Sequence, residues 1–362
     1  MKVSLSWLKD YIAIDTDAEQ LAEALTMAGL EVESVSDRYA YLDSVVVGRI
    51  FEVKPHPNAD KLTICRVNTK DRDWSVVCGA PNVQEGMLAP LAKPGTIFPD
   101  GSQLGQSVIR GESSEGMLCS EAELGLGIDK SGIMALDSAL NAGDELALSL
   151  GLSDAVFELD LTPNRPDCLS VIGIAREVAA IQNTRLNYPD YTVEDKGDTI
   201  HKISSVKIEA PDHCPRYSAR LVENVKVKPS PFWLQDRLLS IGLRPINNIV
   251  DITNFVMMET GQPLHGFDFD FLTENRIVVR TAAEGEKFIT LDEKERMLGT
   301  EMLMICDGAK AVGVGGVMGG LNSEIETTTT RVLIEGAYFN PVSIRKTAKN
   351  LGLGTDASHR FE

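Results

Sequence analysis

No stretch of the 362 residues approaches eighteen consecutive apolar positions, and the opening Met1-Lys-Val-Ser-Leu-Ser-Trp-Leu-Lys is interrupted by charge before any signal-peptide core could form. The expectation is a soluble, cytoplasmic chain with no membrane partner. Aromatic residues make up only 6%, and basic residues are outnumbered, 35 Lys and Arg against 53 Asp and Glu, for a net charge of -18. Broad coating of nucleic acid is thereby excluded, because it needs a basic surface to neutralise phosphates; local, specific contact is not. The six cysteines stand singly, with no C-x-x-C pair, and read as reduced thiols rather than a disulfide framework. The five histidines (56, 201, 213, 265, 359) are scattered, no His/Cys spacing suits zinc, and no G-x-S-x-G elbow occurs, so neither a metal nor a serine nucleophile is expected.

What is present divides into pieces. Residues 1–39 carry a short helical pattern, with Asp17 or Thr16 as cap and Leu21, Ala22, Leu25, Met27 and Ala28 recurring until Gly29. That piece is too small to fold alone. From Ser44, short β-branched runs (45–47, 62–67, 74–78, 87–91) separated by Pro, Asn, Asp and Gly suggest a small barrel or sandwich. Helical periodicity returns between Asp154 and Asn183, where Ile172, Ile174, Ala175, Val178, Ala179 and Ile181 form the stripe. This helix is expected to complete the N-terminal piece, the barrel being an insertion. A polar linker follows, and then strands at 206–208, 217–222, 276–280, 302–306 and 332–334 alternate with helices around 231–242, 249–260 and 341–350, a mixed α/β third domain. The expected domains are 1–39 with 152–190, 40–151, a linker at 191–204, and 205–362.

Split near these boundaries, the net charge is -5 for 1–39, -6 for 40–151, -5 for 152–200 and -2 for 201–362. Within the barrel, Arg49, Lys54, Lys61, Arg66, Lys70 and Arg72 meet only Glu52, Asp60 and Asp71, a local excess of +3. The run from His56 to Lys61 reads as a turn between strands; alternatively, Lys61 and Arg66 line a groove for a phosphate backbone. In Asp160-Leu-Thr-Pro-Asn-Arg-Pro-Asp-Cys-Leu-Ser, Thr162, Asn164 or Asp167 can cap the following helix, and Asx hydrogen bonds account for the loop. Asn248, Asp251 and Asn254 fall on one face of an otherwise apolar helix, a costly arrangement unless they satisfy one another or a ligand. His265, after Pro263, reads as a turn residue, and a lone His is often structural. The glycines of Ala311-Val-Gly-Val-Gly-Gly-Val-Met-Gly-Gly lack dinucleotide or P-loop spacing; they either admit a ligand to the backbone or mark a bulged strand. Glu335, at the end of a buried strand, is either paired structurally or held ready to accept a hydrogen bond.

Four segments, Val47 to Leu62, Val77 to Val83, Lys93-Pro-Gly and Ser113 to Glu121, resemble in order and spacing the tRNA-binding OB-fold module of synthetase-associated proteins. With Met1 to Leu8, Leu161-Thr-Pro-Asn-Arg-Pro-Asp, Arg244-Pro to His265-Gly-Phe-Asp, Gly315 to Gly320 and Gly354-Thr-Asp-Ala-Ser-His-Arg-Phe-Glu, the chain is similar over essentially its whole length to the N-terminal half of bacterial phenylalanyl-tRNA synthetase β chains. The resemblance implies a multidomain α+β protein: a small α/β scaffold domain with an inserted five-stranded OB-fold β-barrel, then a mixed α/β editing domain of B3/B4 type. It implies tRNA(Phe) and the synthetase α chain as partners, in an α2β2 heterotetramer. No cofactor is expected in this fragment; the complete synthetase uses ATP and Mg2+, with ligands outside these residues. Arg49, Lys54, Lys61, Arg66 and Lys93 become the expected tRNA contacts.

The family's site for hydrolytic editing of Tyr-tRNA(Phe) maps onto Arg244, His265, Glu335, Thr355 and Ala357, with Gly315, Gly316, Gly319, Gly320, Asn248 and Asn254 as substrate contacts. A pocket shaped for phenylalanine rejects the extra hydroxyl of tyrosine only modestly, so a second, hydrolytic check is useful. In this reading Glu335 accepts the tyrosyl hydroxyl, the glycine strand admits the ring, His265 and Arg244 position the ester, the tRNA end or the water, and Thr355 and Ala357 shape the wall. No general base is assigned; the terminal ribose hydroxyl is available to help. The sequence stops inside a family motif, so a fragment unable to aminoacylate alone is expected. The competing expectation is a noncatalytic tRNA-binding scaffold, for which Lys61 and Arg66 matter more than His265.

Overall fold

The computed structural model describes residues 1–194, 197 and 199–362; of the expected linker, Asp195, Lys196 and Asp198 lie outside the described residues. It is a mixed α/β structure with several antiparallel sheets. Strand Ala155–Asp160 lies antiparallel between Lys2–Ser4 and Glu31–Asp37, so that distant parts of the chain share one small sheet. Helix Ala18–Met27 begins at Asp17, whose Oδ1 accepts the Gln20 N–H at 2.8 Å, and Gly29 at φ +91° ends it. Helix Val171–Gln182 is capped by Ser170, whose Oγ accepts the Gly173 N–H at 3.0 Å. The cap is therefore not Thr162, Asn164 or Asp167, because the 3-10 turn Pro166–Cys168 intervenes.

The core beneath this sheet joins Trp7, Leu21, Leu25, Phe157, Ile174 and Val178. Ile241, Met257 and Met258 enter the same core from the region of helices Phe232–Ser240 and Asn248–Thr260. Trp7 stacks on Phe255 (4.9 Å between ring centroids), and Tyr11 Oη donates to Glu259 Oε1 at 2.5 Å. Arg237 adds bonds to Asp10 (2.9 Å) and Ser6 (2.8 Å). Apolar burial supplies the affinity between these parts, and the polar pairs fix their register.

Between strands Glu31–Asp37 and Ala155–Asp160 in the chain, a five-stranded antiparallel sheet runs in the order Asp73–Cys78, Ala59–Asn68, Val45–His56, Leu88–Ala92, Met117–Leu118. Its outer strand is tied back toward the other edge, since Glu115 N–H donates to Ser75 O (2.9 Å) and Val77 N–H to Ser114 Oγ (3.1 Å). Inside sit Ile50, Cys65, Val67, Val76 and Leu91, the alternate residues of these strands.

Two larger sheets and a two-stranded one, Glu286–Ile289 with Glu295–Leu298, build the last region, and the two larger ones frame its core. One has the order Ser205–Ile208, Arg276–Thr281, Leu303–Cys306, Ala311–Val314, Met318–Gly319; the first pair is parallel and the others antiparallel. The other places Arg331–Tyr338 between Arg216–Glu223 and His265–Asp268. His265 thus opens a strand rather than sitting on a turn: Pro263 cannot donate to a ladder, and pairing starts just beyond it. Phe267, Val279, Leu303, Ile305, Leu333 and Phe339 fill the shared core.

Asp251, expected to be a costly polar group, is fully buried and satisfied, Oδ2 accepting from Ser230 Oγ (2.5 Å) and Oδ1 from Ile246 N–H (2.7 Å). Asn248 is similarly occupied, with Lys228 N–H donating to its Oδ1 and its Nδ2 donating to Lys226 O, both at 3.1 Å. Asp251→Ala leaves the buried Ser230 hydroxyl unpaired and frees the Ile246 N–H, and should cost about 1–3 kcal/mol in urea denaturation, whereas a loss below about 0.5 kcal/mol would show that this bonding is dispensable.

Candidate functional site

A cavity of about 70 Å³ opens where the two larger sheets of the last region meet the final helix, Asp356–Phe361. His265, Gly316, Gly319, Glu335 and Ala357 are the expected site residues that line it. Leu264, Phe267, Ile305, Val314, Met318 and Phe361 complete much of the wall, and none of these was singled out from sequence. Strand alternation marks Phe267 and Ile305 as core candidates, but which core positions border a void depends on how the two sheets approach each other.

Strand pairing explains the central juxtaposition. Glu335 is directly opposite His265 on one side and Ala219 on the other. Its residue exposure is 7%, and Oε2 is buried without a hydrogen-bond partner. Burial lifts the carboxyl to about 7, a rise opposed by the neighbouring Tyr217 hydroxyl. His265, held edge-on to Phe267 with ring centroids 4.5 Å apart, is pushed by burial down to about 4 and is a neutral imidazole near pH 7.

The glycine segment forms a hairpin, Ala311–Val314 and Met318–Gly319, and the first of these strands carries the expected irregularity, its register against Leu303–Cys306 shifting between Ile305 and Cys306. Gly316, at φ +69°, supplies the turn, and a Cβ there would meet Ile344 at 2.8 Å. A Cβ on Gly319 would lie 2.5 Å from the His265 ring, so glycine is what lets the imidazole occupy its place. Gly315 and Gly320 do not line the cavity: their N–H groups bond Leu303 O and Val312 O (both 2.9 Å), and Gly320 packs beneath Phe288. Thr355 caps the final helix by accepting from Ser358 N–H and donates to Val317 O, both at 3.0 Å. It therefore anchors the hairpin turn to the helix that carries Ala357 and is itself absent from the wall. Arg244 is exposed, without a hydrogen bond or ion pair among the described residues, and Arg244, Asn248 and Asn254 all lie off the cavity lining.

On the five-stranded sheet Arg49, Lys54, Lys61 and Arg66 are exposed, while Lys93 is half-buried. Lys54 is paired with Glu52 at 2.7 Å, and Arg66 lies opposite Glu52 in the register. Arg72 lies 3.5 Å above the Trp74 ring. The basic face is real but partly neutralised. Elsewhere Asp167, Cys168 and Glu177 come within 4.8 Å of one another. Arg165 already occupies that cluster, 2.9 Å from Asp167 and 2.8 Å from Glu177, so its guanidinium offsets one of the two carboxylate charges. No helix among the described residues is long and apolar enough to cross a membrane.

These two sites correspond to known protein families. Residues 45–145 match the family model described as "Putative tRNA binding domain", and residues 213–362 match that of the B3/4 domain. The class is thus a chain that joins a putative tRNA-binding domain to a B3/4 domain. Over all 362 residues it is 54% identical to the phenylalanine–tRNA ligase β subunit of Syntrophus aciditrophicus, and 50% identical to that of Geobacter sulfurreducens. The chain belongs to the phenylalanine–tRNA ligase β-subunit family. It spans 45% of the length of each of these relatives. An N-terminal fragment of the phenylalanyl-tRNA synthetase β subunit from Pyrococcus horikoshii is 17% identical, covering 55% of this chain and 62% of that one, with a TM-score of 0.30, too low to establish a common fold.

The site has a definite pH signature. Glu335 titrates near 4.5 when unfolded and at about 7 when folded, so its contribution to stability is complete below 4.5 and is lost as pH rises to about 7. His265 acts in the opposite sense: with 6.5 lowered to about 4, its contribution is complete above 6.5 and is lost as pH falls toward 4. The two slopes offset one another between 4.5 and 6.5. Glu335→Gln removes one of them, so the variant should gain on the wild type by up to ~3 kcal/mol as pH rises from about 4.5 to 7, at roughly 1.4 kcal/mol per unit. Denaturant titrations across that range check this, and a pH-independent difference would rule out the buried-carboxyl account.

Proposed function

We propose that this chain is the N-terminal portion of a phenylalanyl-tRNA synthetase β subunit that holds tRNA(Phe) and hydrolyses tyrosine mistakenly attached to it, in the His265–Glu335 cavity. The observation that carries the proposal is the carboxyl of Glu335, buried in the cavity wall opposite His265. A tyrosyl hydroxyl can donate to that carboxyl, and a phenylalanyl ring cannot, which is the preference a second check requires. The cavity is about half the roughly 150 Å³ that holds benzene. It therefore takes the phenolic end of the ring, the end that differs between the two amino acids.

Hydrolysis adds water to the ester carbonyl and expels the terminal ribose oxygen, which leaves with a proton. His265, neutral and partly exposed, orients the water or the ribose hydroxyl. Its conjugate acid is too strong for it to serve as an efficient base at neutral pH. Gly316 and Gly319 keep the hairpin low enough to admit the substrate, Thr355 braces it, and Ala357 closes one side. Arg244 and Asn254, away from the cavity, are assigned to the RNA rather than the amino acid, while Asn248 holds the backbone of Lys226 and Lys228. Gly315 and Gly320 serve the hairpin's packing.

The 40–151 region is proposed to be an OB-type barrel inserted into a scaffold of 1–39 with 152–190, and 205–362 the editing domain. Arg49, Lys54, Lys61, Arg66 and Lys93 touch the tRNA backbone. The partner is the α chain, in an α2β2 enzyme of the cytoplasm. ATP and Mg2+ serve the attachment reaction outside these residues, so this portion is not expected to aminoacylate alone.

The purified chain, and the same chain with the rest of the β subunit and α chain added, should deacylate Tyr-tRNA(Phe) faster than Phe-tRNA(Phe). Glu335→Ala should lower the ratio of the two rates by about tenfold or more. An unchanged ratio would remove Glu335 from recognition, while tRNA binding with no deacylation in either preparation would favour the scaffold alternative. Lys61→Ala and Arg66→Ala should each weaken tRNA binding and reduce its dependence on log salt by about one unit. Filter binding at several salt concentrations measures both effects, and a slope unaltered by either change would place the RNA elsewhere.

A further inference from the structure

The sheet that presents Glu335 also presents a second buried oxygen with no partner, the hydroxyl of Tyr217. Tyr217 pairs with Ala337 and Ala219 with Glu335, so Tyr217 is the diagonal neighbour of Glu335 across the ladder. Burial of Glu335, Leu333 and Ala337 marks the core face of their strand, and Tyr217, Ala219 and Leu221 pack against the same core. Tyr217 therefore faces the carboxyl from the strand beside it. Two adjacent buried oxygens, one able to donate and the other an acceptor, satisfy each other after a small rotation.

We propose that Tyr217 is a positioning residue for specificity: its hydroxyl donates to Glu335 Oε2, pinning the carboxyl so that Oε1 remains to receive a hydroxyl of a phenolic ligand in the cavity. This rests on reading the cavity as the site that recognises tyrosine, and adds to it the residue that aims the recognising group. A carboxyl with two free oxygens can turn or hold its own proton; with one oxygen pinned, it offers a fixed acceptor. The titratable groups around Glu335 are Tyr217, Cys214 and His265, from the strand beside it, the segment leading into that strand, and the opposite strand. Burial pushes the Cys214 thiol up to about 11 and holds Tyr217 well above its ordinary value, so with neutral His265 none of the three is charged near pH 7. Of these, only the Tyr217 hydroxyl is seen to favour the ionised carboxyl.

The test is Tyr217→Phe in the full chain, which removes one oxygen and keeps the ring, with melting temperature as a folding control. Carboxyl 13C NMR should show the Glu335 titration midpoint rising above its wild-type value. The ratio of Tyr-tRNA(Phe) to Phe-tRNA(Phe) deacylation should fall by about tenfold, with its pH transition displaced upward. Adding Tyr217→Phe to Glu335→Gln should have almost no further effect, because the two act as one unit. An unmoved midpoint, or full additivity of the two substitutions, overturns the contact. If the wild type shows no preference for the tyrosyl ester, the proposed function fails and the specificity role with it, while the NMR midpoint still decides whether Tyr217 holds the carboxyl.

Discussion

A carboxyl on the core face of a central strand has little contact with water, and its neighbours must either supply a partner or tolerate its proton. Strand Arg331–Tyr338 imposes this condition by lying between Arg216–Glu223 and His265–Asp268. The same pairing that buries Leu333 and Ala337 carries Glu335 inward with them. A slip of one residue would turn Glu335 to the other face and bring Ile334 and Gly336 in, so the register that stabilises the sheet also defines the site. Every other feature of the cavity is arranged about this point: the imidazole opposite, the glycine against the imidazole, and the helix behind the glycine hairpin.

The cavity wall is also tied to the N-terminal part of the chain. In the last helix Ala357 and Phe361 face the cavity, while Arg360 reaches the other way, donating to Leu169 O at 3.1 Å and approaching Met258 Sδ at 2.9 Å. Burial lowers the guanidinium's affinity for its proton, and Asp356 opposes that shift. The loop before helix Val171–Gln182 thus acquires a structural use that its own sequence did not reveal. Because Met257 and Met258 lie in the core with Trp7 and Phe157, movement of one region would disturb packing in the other. Under the proposed function, the cavity is therefore joined through packed side chains to the chain segments that flank the barrel.

Element types were legible where periodicity was strong. The stripe at Ile172, Ile174, Ala175 and Val178 is buried on a helix as its spacing requires, and the β-branched run at Val332 lies within a strand. Local chemistry misled where two groups competed for one task. Three polar residues before Ser170 were equally good caps on paper, but a 3-10 turn took the nearest of them out of position. Asn248 and Asp251 looked like ligand groups, yet they satisfy backbone and side chains around 226–230 and 246 that the one-dimensional pattern does not bring near. Tyr217 carried no signal at all, being one more aromatic in a strand.

The inventory is written in short stretches of chain: which segments could be helix or strand, the excess acid, the local basic run, and the motifs that placed the chain beside synthetase β subunits. These follow from short-range rules, since cap chemistry, alternation and charge are all read within a few residues. Which members of the inventory meet was settled by the fold. Gly319 beside His265, Thr355 on Val317, Arg360 on Leu169 and Tyr217 against Glu335 depend on strand register and on how two sheets and a helix close over one core. Those long-range choices are set by the burial of whole faces at once, which is why single residues did not announce them.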